Sequence, residues 1–455
     1  MLFIIKIFIL ILLISSIYSY VEFPLNIDDK NISSTDTPYE IITKLLVSKI
    51  YIIIKIGSEK INVKSYLILN RAEFMISGKD IKYHKYNELN SKSYNCSDCL
   101  IKNYYYGYFS QGIKSFEDLY IKNDKNEENI IHNMKFILGI KSNENEPPEA
   151  VIGLHLPYHD SDPDYNFIVS LKKANATNSY YWLLNFDNES KMIIDGFPHD
   201  INNKKYNADK FITTNALYNG YIIIWGLTFS NIYYDNINLN ISQTLKKATI
   251  QFNNGLIMAP EEIGTFLGKE FFGEYFEKNI CFKETFGNLN EIFIYCKNVK
   301  EFDVKKFKSI YFKSVDLNSI FELNYKDLFY YKDNYVYFLL LFKGISWIFG
   351  ELFLKKYYLV FNQDLKTIGY YQNIENIENI ENRKNEKPDN NNENKDNFDF
   401  KINLTHILLI LILLSILIVG TILYCKKGKR KNRANELDDN YEYNESINDT
   451  KNDNN

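Results

Sequence analysis

The sequence predicts a mainly β fold followed by one C-terminal transmembrane helix, and three stretches carry that prediction. Lys49 to Ile76 alternates apolar and polar residues as strands do, with a turn at Ser58 to Lys60. Trp347 to Tyr371 holds an apolar triplet ending in glycine, Ile348-Phe349-Gly350. One amphipathic turn (Glu351 to Leu354) follows, then two β-rich runs, Tyr357 to Phe361 and Thr367 to Tyr371, around a polar turn. Leu404 to Tyr424 contains no Lys, Arg, Asp or Glu and is long enough to cross a bilayer.

The ends of the chain fix its predicted orientation. Residues 1–19 form an apolar run broken only by Lys6 and closed by small serines, the pattern of a signal peptide cleaved between Ser16 and Tyr20. Lys426, Lys427, Lys429, Arg430, Lys431 and Arg433 directly follow the apolar run at 404–424, which places residues 425–455 in the cytosol and the bulk of the chain outside. The expectation is a single-pass type I protein of the secretory pathway, at the plasma membrane or an endosomal or vacuolar membrane. A net charge of −4 argues against nucleic acid as a partner, and 45% apolar residues over 455 positions suffice for two or three cores.

In a lumenal chain, the close pairs Cys96/Cys99 and Cys281/Cys296 are expected to be disulfides, with Cys425 left alone at the membrane face. Glycosylation sequons begin at Asn31, Asn95, Asn175, Asn188, Asn240 and Asn403, and only some are expected to be used, because the chain is rich in asparagine. Residues 20–48 read as a mixed, mildly acidic segment. Residues 373–403, which open with NIENIENIENRKNEKPDNNNENKDN, cannot form a core and read as a low-complexity stalk.

The stretch WIFGELFLKKYYLVFNQDLKTIGYY resembles the C-terminal signature of pepsin-like aspartic proteases, I-L-G-D-x-F-L-x-x-Y-Y-x-V-F-D before a final I-G-F/Y strand. Lys49 to Ile76 is similar to that family's opening hairpin: Ile54, Ile56 and Gly57 hold the frame, and Phe74, Met75 and Ile76 stand for its closing L-W-V. Tyr104 to Ile121 resembles the flap hairpin, with Tyr106-Gly107 at the Tyr-Gly that closes over substrate. Val151-Ile152-Gly153 is the counterpart of Ile348-Phe349-Gly350. Tyr180 to Gly196 resembles the strands that end the first lobe, and ATIQFNNGLIMAP (248–260) resembles A-I-V-D-T-G-T-S-x-x-x-x-P. The resemblance implies a bilobal pepsin-like fold, with an N-terminal β lobe at 49–205 and a C-terminal β lobe at 206–372. Gly153 and Gly350 are its two structural glycines.

Both signature motifs are missing from this frame. Ile68, Leu69, Asn70 and Arg71 stand where the family has D-T-G-S, and Gln251, Phe252, Asn253 and Asn254 stand at D-T-G-T. An aspartic protease needs two carboxylates that share a proton around one water. Isoleucine has no ionisable group, and an amide cannot take the proton of that water. No catalytic residue is therefore expected. Glu73 is the one nearby carboxylate for an atypical peptidase, and one carboxylate is not a dyad. Asn70 and Asn253 occupy the third loop position, where asparagine is the best non-glycine substitute for positive φ. Arg71 either faces the old catalytic centre, to bind an acidic group of a ligand, or pairs locally with Glu73.

His155, His159, Asp160, Asp162 and Asp164 crowd one loop, but Pro157 and Pro163 exclude a helix presenting both histidines, so no metal and no cofactor is expected. The expected function is that of a membrane-anchored pseudoprotease whose cleft or lobe surfaces bind an unidentified peptide or protein, a catalytic relative being one further partner. An atypical active endopeptidase and an inert surface scaffold are the alternatives.

Overall fold

The computed structural model describes residues 20–371 apart from 83, 104–107, 124–126, 157–161, 188, 220–221, 243–245, 288–290 and 316–318. The signal, stalk, membrane-span and tail expectations, and those for Tyr106, Gly107, His159, Asp160, Asn188 and Asn403, lie outside the described residues. Among the described residues, no helix is long and apolar enough to cross a membrane.

The chain opens with β1 (Val21–Ile27), which inserts Val21, Phe23 and Leu25 into the core. Helix α1 (Pro38–Leu46) follows. Thr37 caps it through a reciprocal box with Glu40, Pro38 occupies its first turn, and Ile41, Ile42 and Leu45 are its buried face. Residues 20–48, unassigned from sequence, thus supply one strand and one helix.

Strands β2 (Ile50–Ile56) and β3 (Ile61–Ile68) pair antiparallel across the turn at 57–60. Ile50, Ile52, Ile54 and Ile56 all point inward, as the period of two requires. β4 (Phe74–Ser77) comes next, then β5 (Asn95–Asn103), β6 (Phe109–Asn123), β7 (Glu128–Ser142) and β8 (Ala150–Gly153). The flap-like hairpin therefore begins upstream of its tyrosines, because β5 pairs with β6 from Asn95 onward. The disulfide Cys96–Cys99 closes the bulge in that outer strand. Helix α2 (Phe167–Lys173), β9 (Tyr181–Asn185), β10 (Lys191–Ile194) and β11 (Phe211–Asn215) complete the first half.

The second half repeats the plan. A small hairpin, β12 (Leu217–Asn219) and β13 (Ile222–Ile224), precedes β14 (Gly226–Tyr234), β15 (Ile237–Asn238), β16 (Lys247–Ile250), β17 (Ile257–Ala259) and helix α3 (Glu261–Glu270). The hairpin β18 (Cys281–Phe286) and β19 (Glu291–Lys297) sets Cys281 directly opposite Cys296, and the two are disulfide-bonded. Then come β20 (Ile310–Ser314), β21 (Ile320–Leu323), β22 (Phe329–Lys332), β23 (Tyr335–Phe338), β24 (Leu340–Phe342) and β25 (Trp347–Phe349). Helix α4 (Glu351–Lys356) and the hairpin β26 (Val360–Asn362) and β27 (Thr367–Tyr371) close the described chain.

Two large sheets result. One runs β11-β27-β26-β9-β10-β1-β2-β3-β8-β4-β7-β6-β5, and the other runs β21-β20-β14-β16-β25-β17-β24-β19-β23-β22. The first sheet draws on both halves, because β26 pairs with β9 through Val360↔Leu183 and Phe361↔Trp182. An aromatic cluster sits beneath this junction. Trp182 stacks on Phe361 at 4.2 Å and meets Trp225 edge-on at 6.2 Å. The Trp225 indole donates to the Leu154 carbonyl at 2.7 Å. Helix α1 packs elsewhere, on the second half, where Ile41, Ile42 and Leu45 meet Leu256, Met258 and Leu341. Burying three such side chains is worth roughly 5–9 kcal/mol before entropic costs.

Trp182→Ala removes the centre of the cluster joining the two halves. It is expected to cost about 3–5 kcal/mol in urea unfolding, with both halves unfolding in one transition; a change below about 1 kcal/mol would show that the cluster does not couple them.

Candidate functional site

The site is built by two crossings of the same design. In the first, β3 lies parallel to β8, with Ile68 opposite Gly153, and β4 returns antiparallel to β8. Residues 69–73 cross directly over Gly153. A Cβ there would stand 2.6 Å from the Glu73 carbonyl oxygen and 2.7 Å from that of Arg71. Glycine is required by this backbone approach alone. The crossing is pinned by Gly153 N–H to Glu73 O at 3.0 Å, Leu154 N–H to Ile68 O at 2.8 Å and His155 N–H to Arg71 O at 2.8 Å.

In the second crossing, β16 lies parallel to β25 and β17 meets β25 antiparallel. Ile250 pairs with Phe349, so the next step of the register sets Gln251 against Gly350. Gly350 is crowded still more closely, by the carbonyl oxygens of Asn254 and Leu256. Gln251 N–H donates to Phe349 O at 2.9 Å, and Glu351 N–H donates to Asn254 O at 2.7 Å. Ile68 and Gln251 are thus equivalent positions of two equivalent crossings.

The loops make their turns differently from the sequence expectation. Neither Asn70 nor Asn253 takes a positive φ. In the second loop Asn254 N–H donates to Gln251 O at 3.1 Å, closing a tight turn whose two central residues stay at negative φ. The asparagines stand exposed, and no left-handed residue is needed.

Apolar side chains fill the rest of the loop positions. Ile68 packs with Met75, Ile137 and Val151, Leu69 lies in the main core, and Phe252 is fully buried beside Trp182. Gln251 is half-buried, and its Oε1 accepts from the Asn254 amide at 3.2 Å. Arg71, 8% exposed, lies along Met75 Sδ at 3.3 Å with Glu73 Oε2 at 3.9 Å, the local pairing rather than a cation aimed at a ligand. Glu73 is thereby engaged as well.

The described members of the crowded loop downstream have separate partners. His155 is buried, bonded through Nδ1 to Leu156 O at 2.5 Å, and burial pushes its pKa down. Asp162 pairs with Lys114 and Asp164 with Lys135, each at 2.5 Å. Among the described residues, no group of acidic, histidine or cysteine side chains is placed to hold a metal. The sequon residues Asn31, Asn95, Asn175 and Asn240 are exposed.

Beside the first loop lies a cleft of about 510 Å³. It is lined by Ile50, Leu67 and Ile68, by Tyr108 with Pro147 and Pro148, and by Ser48, Lys49 and Asn253. Lys64 and Tyr66 share the Ile68 face of β3 because they alternate with it. The Lys64 ammonium lies 4.0 Å from the Tyr51 ring centroid and 2.6 Å from Asp28. Burial opposes that charge, but the Asp28 carboxylate and Tyr66 hydroxyl outweigh it and raise the amine above the ordinary lysine value. Burial raises the Tyr108 phenol, so it remains a neutral donor. Of the two cleft carboxylates, Glu149 accepts from Lys64 N–H at 2.8 Å and pairs with Lys85 at 2.9 Å, and Glu146 is exposed. The cleft can hold an apolar or aromatic group among hydrogen-bonding edges, and no carboxylate pair faces it from the loops. Sequence reasoning missed Lys64, Tyr66, Tyr108 and the 146–149 segment; only the Lys64-Tyr66-Ile68 alternation could have pointed to any of them.

On the far side of the second loop is a buried carboxylate. Glu351, 3% exposed, accepts from Ser48 Oγ and is flanked by Lys355 and by Lys30 at 3.8 Å. Burial pushes its pKa up, but the two ammonium groups and the hydroxyl prevail and hold it below the usual glutamate range.

Two predictions follow from the crossings. Gly350→Ala is expected to cost about 3 kcal/mol or more, since backbone atoms must move, whereas Gly273→Ala, whose Cβ would meet only the Gly268 carbonyl oxygen at an ordinary 3.6 Å, is expected to change stability by less than about 1 kcal/mol in the same urea titration. Because the folded pKa of Glu351 is depressed, its stabilisation is complete above the unfolded value of about 4.3 and is lost as pH falls below it. The thermal midpoint should drop through that window, and Glu351→Gln should flatten the drop while costing about 3 kcal/mol at neutral pH.

No family profile and no curated protein matches the sequence. Among solved structures, basic 7S globulin from soybean is similar in fold, with a TM-score of 0.55 at 12% identity over 78% of this chain and 96% of that one. The paired crossings and the shared sheet thus belong to a mainly β, bilobal fold of the pepsin-like type.

Proposed function

We propose that this protein is a membrane-anchored, non-catalytic pepsin-like receptor that binds peptide or protein ligands in its interlobe cleft. One observation carries the reading: an open cleft of about 510 Å³ stands beside two equivalent loops that place Ile68 and Gln251, and no carboxylate, at their matching positions. Peptide hydrolysis by this scaffold's usual chemistry needs an ionised and a protonated carboxylate around one water, and neither position supplies one. The surroundings favour binding. Tyr108, Ile68 and two prolines offer an apolar seat, and Asn253 and Ser48 offer polar edges. Anchoring rests on the uncharged run at 404–424 and the basic cluster after it, and a lumenal setting is supported by the two disulfides and the four exposed sequon asparagines.

The test uses the full-length chain in detergent, assayed from about pH 3 to about pH 7 for cleavage of a peptide library and for capture by an immobilised statine-type peptide. The expected result is capture without cleavage, weakened about tenfold, or ~1.4 kcal/mol, by Tyr108→Ala. Cleavage that the same peptide inhibits would overturn the reading in favour of an atypical endopeptidase. Absence of both would leave the display scaffold.

A further inference from the structure

The two crossings are equivalent, but their outer faces are covered differently. In the first, Phe74, Ile76, Ala150 and Ile152 face the main core, and Met75, Val151 and Ile137 face the other way, next to Ile68. In the second, Ile257, Ala259, Trp347 and Phe349 face the main core, and Met258, Ile348 and Leu341 face the other way. The registers correspond pair by pair. Met75 lies opposite Ile137 in parallel pairing and opposite Val151 in antiparallel pairing; Met258 has the same relations to Leu341 and Ile348. The first of these faces is covered by Ile81, Phe109 and Tyr165, and it reaches the cleft only at its edge, through Ile68 and Tyr108. The second, its counterpart, is occupied by α1.

The helix is stitched to the second loop. Gly255 N–H donates to Leu46 O at 2.7 Å, Ser48 N–H donates to Asn253 O at 2.8 Å, and Val47 bridges to Asn254. A Cβ on Gly255 would overlap the Leu45 carbonyl, so the end of α1 lies flush against the loop. Lys49 lines both the cleft and the cavity on the α1 side, which makes residues 47–49 the wall between them.

Resting on the peptide-binding reading above, we propose that the cleft is one-sided. It takes a short peptide segment of two or three residues, with one bulky apolar side chain set between Ile68 and Tyr108, because residues 46–48 at the end of α1 already bond along the second loop, where the remainder of an extended ligand would run. Three extended residues span about 10 Å and eight span about 27 Å. A volume of about 510 Å³ falls within the roughly 300–1,000 Å³ of ordinary small-ligand pockets. The specificity is for length and one apolar anchor.

The experiment compares two labelled peptide amides by anisotropy on the full-length chain, alanine peptides of three and of eight residues with one central phenylalanine. Hydrogen exchange of residues 38–46 is followed in parallel. Expected are dissociation constants within about threefold of each other and unchanged protection of α1 with the longer peptide bound. A longer peptide that binds tenfold or more tightly, or that strips protection from α1, overturns the one-sided cleft while leaving peptide binding intact. Failure of both peptides to bind overturns the binding reading itself, and the inference with it. In Ile41→Ser/Leu45→Ser, where α1 is loosened, the eight-residue peptide should gain about tenfold and the three-residue peptide should not change, its binding showing that the variant is folded. Equal affinities there would also count against the proposal.

Discussion

The architecture depends on one steric constraint: at two places the backbone passes so close to another strand that no Cβ fits between them. Arg71 to Glu73 lie across Gly153, and Asn254 to Leu256 lie across Gly350. Each crossing sets a parallel and an antiparallel neighbour on one short strand, β8 in the first and β25 in the second. That arrangement places the strand-exit residues, Ile68 and Gln251, at matching points. It is pinned by hydrogen bonds between backbone groups, so the crossing itself does not require carboxylates at the loop positions. No carboxylate stands at either strand-exit position, and none is needed to hold the crossings.

The side chains at the loop positions have their own logic. An ionised group at the Ile68 position would be buried against Met75, Ile137 and Val151, and burying an unpaired charge is costly. Isoleucine and phenylalanine turn the loops into extensions of the core, and Asn70 and Asn253 carry the polar surface. One buried acid, Glu351, lies behind the second loop among Lys30, Lys355 and Ser48, where it joins the segment before β2 to α4. Its role is to fasten that segment, and it does not face the cleft.

Much of this was legible in the sequence, and the failures have definite causes. Gly153 and Gly350 could be read because a glycine ending an apolar triplet leaves a pattern that other residues do not mimic. The run of isoleucines from Ile50 to Ile56 shows its alternation openly. β1 was missed because Pro24, which cannot donate in a ladder, sits inside it and argues against a strand. α1 was missed although Thr37-Pro38-Tyr39-Glu40 is a capping-box text; with only three buried positions, its apolar face is too short for periodicity to stand out. The cleft walls were not readable, because Tyr108, Pro147 and Asn253 meet only through tertiary structure, and one tyrosine among 37 has no local signature.

The shared sheet has a consequence in time. β9 is finished by Asn185, yet one of its edges is completed only by β26, at residues 360–362. During synthesis, roughly 175 further residues must emerge before that edge is covered, about 10–35 s at ordinary elongation rates. Throughout that interval Tyr181 to Asn185, paired with β10 on one side, presents its other edge uncovered. The sheet of the first half is therefore complete only when the last strands arrive.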